Sequence, residues 1–409
     1  MADRSPQSAK FRLPLTTNLL GSAEISAAKA VLDSGFLTMG RLCERFEQEF
    51  AAYIGAEHAV MVNSGSSANL LALFALVNPL LEPQGRRRLQ RGDEVIVPAL
   101  SWSTTIWPVV QAGATPVFVD CDPRTLQVTP AAIEAAITPK TAAIVLVHVL
   151  GGACNMTEIR ALAEKRGLWL IEDTCESLGV LWDGRKVGSF GEIGTFSFYF
   201  SHHITTIEGG MVVTNDAKLA DLLRAMRSHG WARGMSNAAE AAAANPEVDP
   251  RFLFVTTGFN LRPIEINAAI GLEQLKRLEG FNARRREIGQ RFDRGFAGLQ
   301  RSGDLELVEY DSRSLPAPFG YVVLCRTREL QQKFSQHLES SGIETRPVIC
   351  GNMVRQPAFR HLQYRVSGSL AGADRVMDCG IYWGPHPGIS DDDVDQVIDI
   401  VTSFFKRAR

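Results

Sequence analysis

Short apolar segments alternate with helical patterns over the first two thirds of this sequence. The apolar runs cover residues 58–62, 94–97, 116–119, 142–147, 168–171 and 211–213. Stretches with helical spacing, such as 66–77 and 156–166, lie between some of them. Strands that are apolar on both faces are typical of a mostly parallel sheet that helices cover. The pattern therefore predicts an α/β fold with a mostly parallel central sheet flanked by helices.

The length of the chain predicts a second, smaller domain. The chain has 409 residues, which is about two to three times the usual domain size of roughly 150 residues. We expect a large α/β domain with an N-terminal arm over residues 1–275 and a small C-terminal α/β domain over 276–409. A helix predicted at 262–278 and closed by Gly280 leads up to this boundary, and mixed strand and helix patterns follow from residue 305.

Charge and composition argue against several classes of function. The net charge of −2 gives no overall basic field that would hold nucleic acid or an anionic membrane. The apolar stretches are shorter than the roughly 18 to 20 residues of a membrane span, and the first ten residues lack the apolar core of a secretion signal. The seven cysteines are scattered without a CxxC pair, a pattern unlike a disulfide framework or a metal site. We expect a cytoplasmic protein without metal, nucleic acid or membrane partners.

Two segments at predicted strand ends carry residues suited to a phosphorylated ligand. Gly65 and Ser66 stand between an apolar strand and an apolar helix, where glycine lets the backbone approach a ligand and free amides favour a phosphate. A serine-rich helix cap would have the same sequence. Trp102 follows the strand at 94–97. It is placed either to stack on a planar ring beyond the strand ends or to pack in the core.

Two carboxylates follow the strand at 168–171. Asp173 stands at the predicted strand end, and Glu176 comes three residues later. A carboxylate in this position can pair with a protonated ring nitrogen and keep its proton on. A helix cap at Glu172 and Asp173 is the alternative interpretation. The combination of all these segments is more specific than any one of them.

The segment at 194–210 completes a recognisable order of motifs. It reads GTFSFYFSHHITTIEGG. Four motifs follow one another along the chain. They are a phosphate loop, a stacking aromatic residue, an aspartate at a strand end, and the residue of a Ser-Phe-x-x-x frame that precedes Gly-Gly. This order resembles the sugar-nucleotide aminotransferase family, a branch of the fold type I pyridoxal-phosphate enzymes, from about Leu13 to Val401. The resemblance implies the fold type I architecture, pyridoxal or pyridoxamine 5′-phosphate as cofactor, and a homodimer.

Histidine replaces the lysine to which this family usually binds its cofactor covalently. The Ser-Phe frame places His202 there, and the nine lysines lie elsewhere, the nearest being Lys186 and Lys218. Without that lysine, amino groups are not transferred in the usual way. The family branches with histidine at this position are 3-dehydratases of 4-keto-6-deoxy sugar nucleotides, in which the imidazole moves a proton. His203 is the adjacent alternative, and the frame favours His202 as the catalytic residue.

The resemblance implies a lyase reaction. The C3 hydroxyl of the sugar would leave, L-glutamate would restore the aminated cofactor, and ammonia would be released. The iron–sulfur branch that acts on CDP-sugars requires four clustered cysteines, whereas the interval from His202 to Arg346 holds only Cys325. The remaining branch acts on GDP-4-keto-6-deoxy-D-mannose in colitose synthesis for lipopolysaccharide O-antigens. A 3-dehydratase for a CDP-, dTDP- or UDP-sugar and a non-catalytic, cofactor-binding regulator are the alternatives.

The family's functional positions carry over to a small set of residues. Gly65, Ser66 and Ser197 would bind the phosphate, Trp102 would stack on the ring, Asp173 would bind the ring nitrogen, Glu176 would lie near the phenolic oxygen, and Asn260 would reach across the dimer interface. His229 and Arg346 are weaker candidates for binding glutamate or the substrate. The roles of His203, His148 and His386 stay open.

Overall fold

The computed structural model describes residues 11–83 and 85–408. The first ten residues lie outside the described part. The expected absence of a secretion signal depends on these residues. The α-helices are Ser22–Ser34, Arg41–Ile54, Gly65–Val77, Ser103–Gln111, Pro130–Ala136, Met156–Arg166, Ala217–Arg227, Ala238–Ala243, Glu265–Arg301, Arg328–Ser340, Ala371–Cys379 and Asp391–Ala408. None of the described helices is long and apolar enough to cross a membrane.

A large sheet forms the centre of the fold. In spatial order its strands are His58–Val62, Gly210–Thr214, Ile193–Ser197, Trp169–Asp173, Thr141–Val147, Glu94–Pro98, Thr115–Val119 and Arg365–Val366. Within this sheet, Gly210–Thr214 runs antiparallel to both neighbours, and the other pairings are parallel. The predicted α/β fold with a mostly parallel sheet is confirmed.

Helices cover the sheet on both faces, as its apolar strands predicted. Val95 and Val97 belong to one core cluster, and Ile96 between them belongs to another. Successive side chains of a strand point to opposite faces, so the two clusters lie on opposite sides of the sheet. Buried side chains of Gly65–Val77 join the first cluster, and those of Met156–Arg166 join the second.

A smaller antiparallel sheet forms in the C-terminal part of the chain. Its strands, in spatial order, are Leu305–Leu307, Tyr321–Cys325, Gly380–Trp383 and Thr345–Arg346. Phe334 and Trp383 pack in a core cluster that belongs mostly to this part. The division into residues 1–275 and 276–409 stays a prediction. Two segments cross it, because Leu13 pairs with Ile343 and Arg365–Val366 joins the large sheet.

The helix Glu265–Arg301 runs through the position predicted as its end. The predicted end at Gly280 is therefore wrong. An added Cβ at Gly280 would meet no atom within 4 Å, whereas Leu278 and Phe281 beside it are buried. One glycine in a helix costs only about 1 kcal/mol relative to alanine, and the packing of the buried face outweighs this cost.

Replacing Gly280 by alanine should raise the free energy of unfolding by up to about 1 kcal/mol, because the glycine penalty disappears without a steric cost. Urea denaturation followed by circular dichroism measures the change. Gly271→Ala in the same helix is the matched control. It should lower the free energy of unfolding, because its Cβ would lie 2.6 Å from ring atoms of Phe46. Equal effects of the two substitutions would contradict this explanation.

Candidate active site

Several strands of the large sheet have their carboxyl ends at one edge. These strands are His58–Val62, Glu94–Pro98, Trp169–Asp173 and Ile193–Ser197. In an open α/β sheet, ligands bind in the crevice beyond these ends. Most of the residues predicted for the cofactor lie at these ends or in the loops that follow them. The fold therefore gathers segments that are far apart in the sequence.

Gly65 and Ser66 begin a helix at this edge. Ser64 caps the helix, because its hydroxyl accepts the Ser67 amide at 3.1 Å, so the serine-rich cap is present. The backbone amides of Gly65 and Ser66 have no acceptor among the described residues. An added Cβ on Gly65 would lie 2.8 Å from Oγ of Ser197, so only glycine lets the loop pack against this strand end. Free amides beside a hydroxyl suit a phosphate.

Asp173 is a buried carboxylate held by neutral donors. It is 4% exposed. Asn69 Nδ2 and Thr105 Oγ1 each donate to Oδ2 at 2.7 Å, and the Cys175 amide donates to Oδ1 at 3.2 Å. The carboxylate is fixed in place, and Oδ1 keeps a lone pair for another donor, such as a protonated ring nitrogen. The helix-cap alternative is wrong, because a turn and not a helix follows the strand.

Trp102 presents an exposed indole near this carboxylate. Its side chain is 54% exposed, which excludes the core alternative. It directly precedes the helix Ser103–Gln111, whose Thr105 is bonded to Asp173. The indole and the carboxylate therefore lie at the same edge of the sheet. An exposed aromatic ring in such a crevice is suited to cover one face of a planar ligand.

Glu176 has a raised pKa. The amide of Leu150 donates to its Oε2 at 3.0 Å. Leu150 adopts a left-handed backbone conformation with φ of 47°, which is uncommon for a residue other than glycine. Burial raises the pKa of Glu176 to about 7; the Leu150 amide lowers it, and the charge of Asp173 raises it further. Near neutral pH both protonation states are populated, which suits a group that exchanges a proton with a ligand oxygen.

The two adjacent histidines have different surroundings. His202 is partly exposed, and its ring lies edge-on to Phe319 with centroids 5.2 Å apart. Its Nδ1 is buried without a partner among the described residues, so Nε2 is the nitrogen that can meet a ligand. His203 is fully buried, and its Nε2 donates to the Ala317 carbonyl at 2.8 Å. Burial lowers the pKa of His202 to about 4, and the charge of Arg285 acts in the same direction.

His148 and His386 are buried and hydrogen-bonded to other parts of the fold. His148 is buried; its Nδ1 accepts the Cys154 amide at 3.1 Å, and its Nε2 donates to Glu172 at 3.0 Å. His386 is 4% exposed, and its Nε2 donates to the Pro14 carbonyl at 3.1 Å. This bond ties the N-terminal segment to the C-terminal part. The contacts of neither histidine support the role in the crevice that the sequence left open.

His229 and Asn260 lie outside the cluster at the strand ends. His229 is exposed, with a positive φ of 65° just after the helix Ala217–Arg227. Asn260 is also exposed, and its Oδ1 accepts a hydrogen bond from Arg262 Nε at 3.1 Å. Asn260 and Arg262 line a cavity of about 1010 Å³. The side chain of Asn260 is therefore not bound to the phosphate loop of its own chain.

Arg346 approaches the crevice from the C-terminal part. It is exposed, and its guanidinium pairs with Glu344 at 2.6 Å. Burial raises the pKa of Tyr382; the charge of Glu176 raises it further, whereas Arg346 lowers it. Arg346 is paired with Tyr382 in the smaller sheet, and the charges of Arg346 and Glu176 both act on the Tyr382 hydroxyl. This position suits the weaker prediction that Arg346 meets an anionic part of a substrate.

Sequence reasoning missed the residues that hold the predicted site in place. Asn69 lies four residues after Gly65, about one helical turn, and Thr105 lies three after Trp102. This spacing places each on a helix that starts at the strand ends, and it was a usable signal. Phe319 packs against His202 from a distant part of the chain. No local pattern indicates such a contact.

The fold and this arrangement of residues define a fold type I pyridoxal-phosphate transferase architecture. The model of the DegT/DnrJ/EryC1/StrS aminotransferase family matches residues 18–402. The chain belongs to this family. The predicted family resemblance and the predicted fold class are confirmed.

Three relatives cover nearly the whole chain. The lipopolysaccharide biosynthesis protein RfbH of Salmonella typhimurium is 38% identical over 406 residues, 96% of this chain and 92% of that protein. The GDP-4-keto-6-deoxy-D-mannose 3-dehydratase of Escherichia coli O55:H7 is 35% identical over 394 residues, 95% of this chain and 99% of that protein. The dTDP-4-dehydro-2,6-dideoxy-D-glucose 3-dehydratase of Saccharopolyspora spinosa is 37% identical over 419 residues, 96% of this chain and 89% of that protein.

Solved structures of GDP-4-keto-6-deoxymannose 3-dehydratase are similar over their whole length. A histidine-to-asparagine variant with bound GDP-perosamine has a TM-score of 0.88 at 34% identity, covering 95% of this chain and 100% of that one. The E. coli enzyme with bound hydrated PLP has a TM-score of 0.87 at 34% identity, covering 96% and 99%. A form with a trapped PLP-glutamate geminal diamine has a TM-score of 0.86 at 33% identity, covering 95% and 100%.

The buried His386 should make stability depend on pH. Burial lowers the pKa of His386 to about 4, and the charge of Arg285 acts in the same direction. In the unfolded chain the same histidine has an ordinary pKa near 6.5, so on acidification the unfolded state takes up the proton at a higher pH than the folded state. The free energy of unfolding therefore decreases as the pH falls from about 6.5 toward 4. His386→Gln should therefore destabilise the protein more at pH 7.5 than at pH 5, by about 1 to 2 kcal/mol. Urea denaturation at both pH values measures this difference, and equal values would contradict it.

Proposed function

We propose that this protein is a PLP/PMP-dependent 3-dehydratase that removes the C3 hydroxyl of a 4-keto-6-deoxy sugar nucleotide, with GDP-4-keto-6-deoxy-D-mannose as substrate. The observation that carries the proposal is an uncharged, partly exposed imidazole, His202, at the position where the family usually has lysine. The relatives and solved structures that bear this activity cover nearly the whole chain. L-Glutamate is the proposed amino donor, and ammonia is released.

The residues at the strand ends fit the cofactor. The free amides of Gly65 and Ser66 and the hydroxyl of Ser197 would hold the phosphate, and Oδ1 of Asp173 has a lone pair for the ring nitrogen. Trp102 would cover one face of the ring. When bound, the cofactor supplies an amine and an electron-withdrawing ring. Asp173 would keep the ring nitrogen protonated, because a buried carboxylate without a cationic partner stabilises a nearby positive charge.

His202 would move the proton that dehydration requires. At neutral pH its lowered pKa leaves the imidazole uncharged, so Nε2 can accept a proton. An imidazole has no primary amine with which to capture the cofactor covalently. The two nearest lysines in the sequence are occupied elsewhere, since Lys186 Nζ lies 4.3 Å from the Tyr53 ring and Lys218 pairs with Glu82 at 2.6 Å. With an imidazole at position 202 and these two lysines engaged elsewhere, the site would support dehydration but not ordinary amino transfer.

Pathway and location belong to the same proposal. The similarity to a lipopolysaccharide biosynthesis protein supports a role in making a deoxysugar such as colitose for the O-antigen, in the cytoplasm. The nucleotide is the least constrained part, because a relative that acts on a dTDP-sugar is as similar as those that act on GDP-sugars. A panel of GDP-, dTDP-, CDP- and UDP-4-keto-6-deoxy sugars with product mass analysis identifies the substrate. A non-catalytic regulator would release no ammonia with any of them.

His202→Asn should lower the rate of ammonia release from glutamate and the substrate by about 10²- to 10⁴-fold, because the amide has no useful basicity. His202→Lys should also abolish dehydration, since the lysine amine would capture the cofactor. His203→Asn is the matched control and should retain much more activity, because His203 bonds only to the Ala317 carbonyl. The assignment is wrong if His203→Asn is inactive while folded and His202→Asn is near wild type.

We also propose a homodimer in which Asn260 completes the site of the partner subunit. Asn260 is exposed at a cavity of about 1010 Å³, which Ile264 also lines. Two further exposed apolar side chains, Phe36 and Phe254, are close in sequence to residues that line this cavity. Phe36 is 82% exposed, Phe254 53% and Ile264 44%. The Leu261 carbonyl accepts the Asn63 amide at 3.0 Å, so the backbone next to Asn260 runs near the phosphate loop of its own chain, whereas the Asn260 side chain is exposed and bonded to Arg262. A second subunit would cover these apolar side chains.

Mixing two inactive variants tests this arrangement. His202→Asn and Asn260→Ala homodimers should each have little activity. In a mixed dimer, one site combines a native His202 with a native Asn260 from the other chain. Co-refolding equal amounts should restore about a quarter of wild-type activity, because about half of the dimers are mixed and each has one intact site. No gain on mixing, or a fully active monomer in analytical ultracentrifugation, would contradict the proposal.

A further inference from the structure

A buried arginine that has no carboxylate partner among the described residues lies close to the histidine loop. Arg285, in the helix Glu265–Arg301, is 2% exposed. Its guanidinium donates to the carbonyls of Pro318 and Phe319 at 3.2 Å and 3.4 Å, and its Nε has no partner among the described residues. Burying a charge is costly unless it is paired. Two long hydrogen bonds to neutral carbonyls compensate this cost poorly, so the arginine has no evident structural advantage over a neutral side chain.

One short segment connects this arginine to both histidines. Phe319, whose carbonyl accepts from Arg285, places its ring edge-on to His202 at 5.2 Å between centroids. The Ala317 carbonyl accepts from His203 at 2.8 Å. The segment is itself fixed, because the Phe319 amide donates to the Leu150 carbonyl at 3.2 Å. Arg285 is therefore bonded to the backbone of the segment whose Phe319 ring packs against His202.

We propose that Arg285 is the positioning residue for His202: its buried charge adds to the effect of burial in disfavouring the imidazolium form, and its hydrogen bonds fix the segment whose Phe319 ring packs against the imidazole. This inference rests on the proposed function, in which His202 is the base. A second positive charge on His202 would be repelled by Arg285 in surroundings of low polarity. The imidazole thus meets its ligand as a base and not as an acid.

The charged and titratable groups around His202 are few. Tyr199 and His203 belong to its own loop, and the Tyr199 ring lies 5.9 Å from the His202 ring. The segment 317–319 carries no titratable side chain. The helix Glu265–Arg301 contributes Arg285, which stays charged at neutral pH because burial lowers its pKa only to about 10. Burial of the imidazole lowers the pKa of His202 most. Among the described residues, Arg285 is the one charged side chain that lowers this pKa further.

Two substitutions separate the charge of Arg285 from its hydrogen bonds. Arg285→Lys keeps a positive charge and a donor, whereas Arg285→Gln keeps a donor without the charge. We expect the His202 titration midpoint to rise by about 1 pH unit in Arg285→Gln and to stay near the wild-type value in Arg285→Lys. Arg284→Gln is the matched control: the neighbouring arginine pairs with Glu287 and Asp391, and its loss should leave the midpoint unchanged.

The measurement is a ¹³C-histidine NMR titration of the full-length protein with its cofactor, with His202 assigned by its absence in His202→Asn. The acid limb of the pH–rate profile should move with the midpoint, so Arg285→Gln should lose about twofold more rate at pH 5 than at pH 8. An unchanged midpoint in Arg285→Gln, or an equal rise in Arg285→Lys, would overturn the proposal.

The wild-type titration can overturn the proposal even if no variant folds. A His202 midpoint at or above about 6.5, the ordinary histidine value, would overturn the proposal without any variant. The titration requires no turnover, so it stays informative if the sugar-nucleotide reaction is not found. A normal midpoint in an active dehydratase would reject only the role of Arg285, whereas a lowered midpoint without dehydration would reject only the proposed function.

Discussion

The hydrogen bonds to the buried carboxylate of Asp173 connect the elements from which the site is built. Asn69 comes from the helix after the first strand, and Thr105 comes from the helix after Trp102. Asn69 also accepts a hydrogen bond from Thr195 at 2.6 Å, on the neighbouring strand. A buried carboxylate needs such donors, because an unsatisfied charge in the interior is costly. Its need for partners therefore fixes the helix that begins at Gly65, the helix after Trp102 and the carboxylate itself relative to one another.

The acid–base groups of the site are set by their surroundings. Burial moves the pKa of Glu176 up to about 7 and that of His202 down to about 4. Both shifts have the same physical origin, since low polarity disfavours the charged form of an acid and of a base alike. At neutral pH His202 is thus an uncharged base, and the carboxyl group of Glu176 is partly protonated. Such a pair suits a reaction that removes one proton and delivers another.

The C-terminal part of the chain supplies the outer surroundings of this site. The segment 317–319 receives His203 and Arg285 and places the Phe319 ring against His202. Arg346 and the Tyr382 hydroxyl approach Glu176 from the smaller sheet. The strand ends hold the residues proposed to bind the cofactor, whereas this second part shapes what surrounds the imidazole. The chemistry at His202 therefore depends on contacts between two parts of the chain that are far apart in sequence.

The sequence by itself determined the α/β class, the family and the order of the site segments, because buried strands are apolar along their length and the motifs are contiguous. The Ser-Phe frame also predicts His202, and not His203, as the catalytic residue. The sequence placed the end of a helix wrongly at Gly280, because a weak local propensity yields to the packing of a long buried face. Only the tertiary structure decided that Trp102 is exposed, that His203 bonds to Ala317, and that Arg285 lies unpaired near His202. These properties depend on which distant residues become neighbours, and no local pattern records that.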